Sequence, residues 1–147
     1  MSYKNYKDLK VWQMAVALVR STYAICSLLP EVEKFGLASQ LRRSAISIPS
    51  NIAEGQGRGS AAEIKQFSRL ALGSLAELDT QLYLVQDIYG LNVKEAEALV
   101  EQLNRMLSKM IVMTREEASG YETEILAQRQ EPDPGRGTTV SSLQSPV

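Results

Sequence analysis

Apolar residues spaced alternately three and four apart recur in four separate stretches of this chain, and no stretch alternates with the period of two that a strand requires. The chain is thereby confined to an all-α fold. From Asp8 to Leu29, Leu9, Trp12, Val16, Val19, Tyr23 and Cys26 mark one helix face, and this stripe is expected to turn inward. The same helix carries a second apolar stripe, Val11, Ala15, Leu18 and Ile25, leaving only a narrow polar strip around Gln13, Arg20 and Ser27. A helix with two apolar stripes is covered on two sides, so the second stripe is expected to meet a neighbouring subunit.

Pro30 closes this first helix, because the residue before a proline is pushed out of the α region. The second pattern, over 36–55, runs through Leu37, Leu41, Ala45, Ile48 and Ile52 and contains Pro49. A proline there deletes one backbone hydrogen bond and collides with the Ala45 carbonyl, which predicts a kinked helix with Ser44, Ser47 and Ser50 helping to satisfy the freed groups. The run Gly55-Gln56-Gly57-Arg58-Gly59-Ser60 reads as a flexible connection. It lacks the preceding strand and the Gly-Lys-Ser/Thr ending of a nucleotide loop.

Ser60, with Glu63 three residues on, is a capping box for a third helix over 60–89, which Gly90 stops. A fourth, over 93–118, starts behind Asn92 and turns Ala96, Leu99, Val100, Leu103, Met106, Leu107, Met110 and Met113 inward. Four such helices with short connections pack as an antiparallel up-down-up-down four-helix bundle, here over 1–120. Residues 121–147 lose the periodicity and become rich in Pro, Gly, Ser and Thr, the composition of a flexible, disordered tail.

Composition bears on chemistry. The 147 residues include no histidine and one cysteine, Cys26, which removes the commonest general base, the commonest metal ligand and any intrachain disulfide. No paired-carboxylate motif appears. The expectation is a protein that is not an enzyme and takes no cofactor or metal. Without an apolar leader or a run of about 18 apolar residues, it is also expected to be cytoplasmic, with no membrane partner.

Net charge is only −1, yet the charge is polarised: Lys34 to Leu72 holds six basic residues against two acidic, whereas Gly73 to Ala127 holds ten acidic against four basic. Arg42, Arg43, Arg58, Lys65 and Arg69 form the candidate nucleic-acid-binding set. They are expected to converge at one end of the bundle and grip phosphates with a salt-dependent strength. Solvated surface charge, or an ion pair with another helix or subunit, is the plain alternative for each. Asn51 and Glu54 are candidates for a buried polar link that fixes helix register.

Four strings in order, Asp8-Leu9-Lys10-Val11-Trp12-Gln13, Phe35-Gly36-Leu37 with Gln40-Leu41-Arg42-Arg43, Ser47-Ile48-Pro49-Ser50-Asn51-Ile52-Ala53-Glu54-Gly55, and Gly73-Ser74-Leu75 with Glu77-Leu78, resemble the bacterial 23S rRNA intervening-sequence proteins over roughly residues 7 to 115. The resemblance implies an up-down four-helix bundle assembled as a homopentamer. A related branch, the accessory variability proteins of diversity-generating retroelements, forms basic pentameric barrels that bind nucleic acid and a reverse transcriptase. The implied function is an oligomeric nucleic-acid-binding accessory protein whose partners are copies of itself, RNA or DNA, and a reverse transcriptase or other protein. A protein–protein scaffold with no nucleic-acid ligand is the alternative.

Overall fold

A computed structural model describes residues 4–112. After a short helix α1 (Lys4–Lys7) come four long ones: α2 (Lys10–Cys26), α3 (Leu37–Arg58), α4 (Ala61–Tyr89) and α5 (Lys94–Ile111). A single 3-10 turn, Glu31–Glu33, interrupts the α2–α3 connection, and no strand occurs among the described residues. Each long helix packs on two others in the cyclic order α2, α3, α4, α5, with α2 and α5 in contact, which closes a four-helix bundle. The expected tail 121–147, the end of the fourth helix and Met113 lie outside the described residues.

The core is a stack of aliphatic layers. Leu18 of α2, Leu41 and Ile48 of α3, Leu78 and Leu82 of α4, and Leu103 and Leu107 of α5 are fully buried. Helix ends follow local chemistry. Ser60 Oγ accepts the Glu63 N–H at 3.2 Å and opens α4. Gly59 and Gly90 take φ of 79° and 65°, left-handed values that cost glycine least, and close α3 and α4. Asn92 Oδ1 accepts the Lys94 N–H at 3.0 Å at the start of α5.

Two expectations are corrected. The glycine run is not a loop: α3 continues through Gly55, Gln56 and Gly57 to Arg58, so only Gly59 and Ser60 join α3 to α4. Helical carbonyls around Pro49 gain side-chain donors, Ser50 Oγ to Ile46 O at 2.8 Å and Asn51 Nδ2 to Ser47 O at 2.8 Å, and the helix is continuous across the proline.

The second correction concerns α2, whose two stripes exchange roles. Val11, Ala15, Leu18 and Ile25, expected at a subunit interface, are buried in the chain's own core together with Thr22. Trp12, Val16 and Val19 are only half-buried on the outer flank, and Tyr23 is exposed. Thr22 makes the inner stripe look broken in sequence. Its hydroxyl donates to the Leu18 carbonyl at 2.8 Å, so no polar group is orphaned by burial. Ala15 and Thr22 are small enough to let α2 approach its neighbours closely, whereas Trp12 stays at the edge with its ring 5.6 Å from that of Tyr6 in a T-shaped pair.

Candidate nucleic-acid interface

The tight α3–α4 turn gathers one cluster of charge. Arg58, on the last turn of α3, donates to Glu54 Oε1 at 3.0 Å and reaches Glu63 Oε1 at 3.8 Å across the turn. Its guanidinium also stands over the Phe67 ring, 5.0 Å from the centroid. The hydrogen bond to Glu54, aided by the charges of both carboxylates, holds its pKa above the ordinary arginine value. Arg58 is therefore pinned and largely neutralised. Lys65 and Arg69 follow one turn apart on the first turns of α4, Lys65 half-buried and Arg69 exposed without an ion pair among the described residues.

Arg42 and Arg43 do not join them. They lie 16 and 15 residues before Arg58 on one continuous helix, which at 1.5 Å per residue puts them roughly 22–24 Å away along its axis. The expected convergence of five cations is thus replaced by two groups. Arg43 Nη2 donates to Gln40 Oε1 at 2.8 Å and to Glu77 Oε2 at 3.0 Å, tying α3 to α4. Arg42 is half-buried and donates to the Lys34 carbonyl at 3.4 Å, beside the buried Cys26.

Arg43–Glu77 is one rung of a polar seam. Ser44 Oγ donates to Gln81 Oε1 at 2.6 Å, Ser47 and Ser74 hydroxyls meet at 2.7 Å, and Asn51 Nδ2 donates to Ser47 Oγ at 3.0 Å. From Ser44–Gln81 through Ser47–Ser74 to Gly55 beside Phe67, residue numbers rise on α3 as they fall on α4, so the two helices run antiparallel. Asn51 enters the link between helices through Ser47, while Glu54 bonds within α3 to Arg58 instead. The partners Ser74, Gln81 and Glu77 were missed in the sequence reading. Their signal was available: Gln40, Ser44, Ser47 and Asn51, and across from them Ser74, Glu77 and Gln81, are polar positions at the same three-and-four spacing as the core.

The flank opposite that seam is apolar. Trp12, Val16 and Val19 of α2 and Ile46, Pro49 and Ala53 of α3 line an open groove of about 330 Å³ between the two helices. Among the described residues no group of three or more His, Cys, Asp or Glu is placed to hold a metal ion, and no helix is long and apolar enough to cross a membrane. A family model described as 23S rRNA-intervening sequence protein matches residues 7–112, well over half of the chain. A search among curated proteins finds no match.

Proposed function

The chain belongs to the 23S rRNA-intervening sequence protein family, and from that membership we propose that it is a non-enzymatic, oligomeric accessory protein that binds RNA or structured DNA in the bacterial cytoplasm. The observation that carries this reading is the exposed Arg69, with the half-buried Lys65 one turn before it, on the helix that follows the pinned Arg58. One pair of cations is a weak phosphate site, but copies repeated around a homo-oligomer multiply it, and counterion release makes the sum steep in salt. Assembly is supported by the apolar groove that α2 and α3 leave open to solvent. A homopentamer is the expected count, with a reverse transcriptase or another protein as a further partner.

The test is electrophoretic retardation of a structured RNA and of single-stranded DNA at low ionic strength, with protein mass recorded by light scattering. Lys65→Glu with Arg69→Glu is expected to abolish retardation and leave the mass unchanged. Absence of retardation by the wild-type protein at low salt overturns the reading. A protein scaffold is favoured instead by one specific observation, the acidic α4–α5 groove bearing Asp79, Glu97 and Glu101. Recovery of a protein partner with no nucleic acid in the same peak decides for it.

A further inference from the structure

Resting on the nucleic-acid reading proposed above, we infer that a phosphodiester strand lies across the outer face of α4 and α5, passing over Gly73 and held by Arg69 of α4 and Arg105 of α5. Neither arginine serves the fold. Both are exposed, and neither makes an ion pair or hydrogen bond among the described residues, whereas Arg42, Arg43 and Arg58 are each bonded. A four-residue connection returns α5 along α4, and Leu72, Val100, Glu101 and Asn104 line one groove between them. Arg69 is three residues before Leu72 and Arg105 is one after Asn104, so the two guanidinium groups are presented within about a turn of one level. Packed helices stand about 8–10 Å apart, a span that two arginine side chains bridge through one strand of phosphates.

Charge on this helix pair is divided by level. From Ala61 to Leu72 and from Asn104 to Ile111 the helices carry Lys65, Arg69, Arg105 and Lys109 against one carboxylate, Glu63. Glu63 is already engaged, accepting from Ser60 Oγ at 3.3 Å and facing Arg58 at 3.8 Å. From Gly73 to Tyr89 and from Lys94 to Leu103 there are three carboxylates on each helix, and Lys94 is the one cation. Glu101 stands one turn from Arg105 and makes no ion pair with it. An anionic strand is therefore drawn to the level of Arg69 and Arg105 and turned back at Glu101, which fixes where it crosses.

Gly73 is an independent observation at the same place. It is exposed, and a Cβ added there would meet nothing within 4 Å. Glycine inside a helix is destabilising relative to alanine. At Gly55 the close approach of Phe67 requires it, whereas no contact among the described residues requires it at 73. Gly57 is equally open but lies in the last turn of α3, while Gly73 stands twelve residues from the start of α4 and sixteen from its end. A bare stretch of helix backbone admits the close approach of a ligand. Arg69 and Gly73 are four residues apart and share one face of α4, so a strand resting on the glycine meets the guanidinium.

The experiment follows binding of a short single-stranded oligonucleotide, once as RNA and once as DNA of the same sequence, by fluorescence anisotropy over a range of salt, with protein mass recorded by light scattering. Arg69→Ala and Arg105→Ala are each expected to lower the steepness of log Kd against log salt by about 1 and to keep the wild-type mass. Lys94→Ala, the same change of charge about 16 Å away along α5, is expected to keep the wild-type slope. Glu101→Gln is expected to tighten binding. Gly73→Ala is expected to raise the urea midpoint and yet weaken binding, whereas Gly57→Ala raises the midpoint and leaves binding unchanged. Losses of equal size on RNA and DNA support the phosphate backbone as the ligand, and a loss on one alone overturns it. An Arg105→Ala protein with the wild-type slope or an altered mass, or a Gly73→Ala protein that binds as wild type, overturns this placement of the strand while leaving nucleic-acid binding standing. Wild type that binds neither oligonucleotide at low salt overturns the nucleic-acid reading itself.

Discussion

Gly55 of α3 lies so close to Phe67 of α4 that a Cβ added at 55 would stand 2.9 Å from the Phe67 Cβ and 3.4 Å from the Ile64 Cα. The helices cross at this glycine, one turn before Arg58 reaches over the same Phe67 ring. Backbone and Cβ atoms cannot swing aside, so Gly55→Ala must push α4 away. The expected cost is about 1–3 kcal/mol, as for other overpacked sites. Gly57, two residues on in the same helix, has nothing within 4 Å of its added Cβ. Gly57→Ala is expected to stabilise by about 0.5–1 kcal/mol through helix propensity alone. Urea midpoints at matched protein concentration check both signs.

The Ser47 and Ser74 hydroxyls meet at 2.7 Å, where either can donate, and Ser47 Oγ also accepts Asn51 Nδ2. Ser74→Ala leaves the half-buried Ser47 hydroxyl without its partner on α4, and a loss of about 1 kcal/mol is expected. Ser47→Ala with Ser74→Ala should cost less than the sum of the single changes. Strict additivity in a double-mutant cycle would show that the two side chains do not interact.

The exchange of stripes on α2 separates two neighbouring positions. Ala15 is 0% exposed, so Ala15→Glu buries an unpaired carboxylate and is expected to abolish cooperative unfolding. Val16→Glu, on the half-buried outer flank, is expected to keep the helix content and lose the assembled mass. Circular dichroism with light scattering distinguishes them. The opposite pattern would restore Ala15 to a subunit interface.

Cys26 links folding to alkaline pH. Burial raises its thiol pKa above the ordinary value of 9.0, and the nearby Arg42 only partly offsets this. A folded-state pKa above the unfolded one contributes stability that is complete below the unfolded value and lost as pH climbs through the folded value. The melting temperature should therefore fall above pH 9, and less steeply in Cys26→Ala. At neutral pH the thiol should resist alkylation until urea unfolds the chain. Rapid alkylation of the native protein would contradict its burial.

Much of the architecture was legible because it rests on local interactions. The 3.6-residue period, the Ser60–Glu63 cap and the Gly90 stop act within a turn or two, and each appears where the residues place it. The glycine run misled because glycine is only a weak helix breaker. Gly55 and Gly57 both stay helical; the close approach of α4 requires an absent side chain at 55, whereas 57 meets open space. The candidate cation set was legible as residues and not as a site, since a sequence balance of charge carries no distance.

The sequence by itself determined the helical class and the four long helices of the described residues, and the family. Each follows from periodic side chains and ordered motifs that need no third dimension. Only the tertiary structure decided which of two apolar stripes on α2 is core. Both have the right period, and the choice turns on side-chain volume and on Thr22 finding an acceptor within its own helix. It also parted Arg42 and Arg43 from Arg58, because the helix between them is rigid and unbroken, and it set an acidic α4–α5 groove and an apolar α2–α3 groove on different helix pairs. Proximity between residues far apart in the chain is a property of packing, and there the periodicity of single helices is silent.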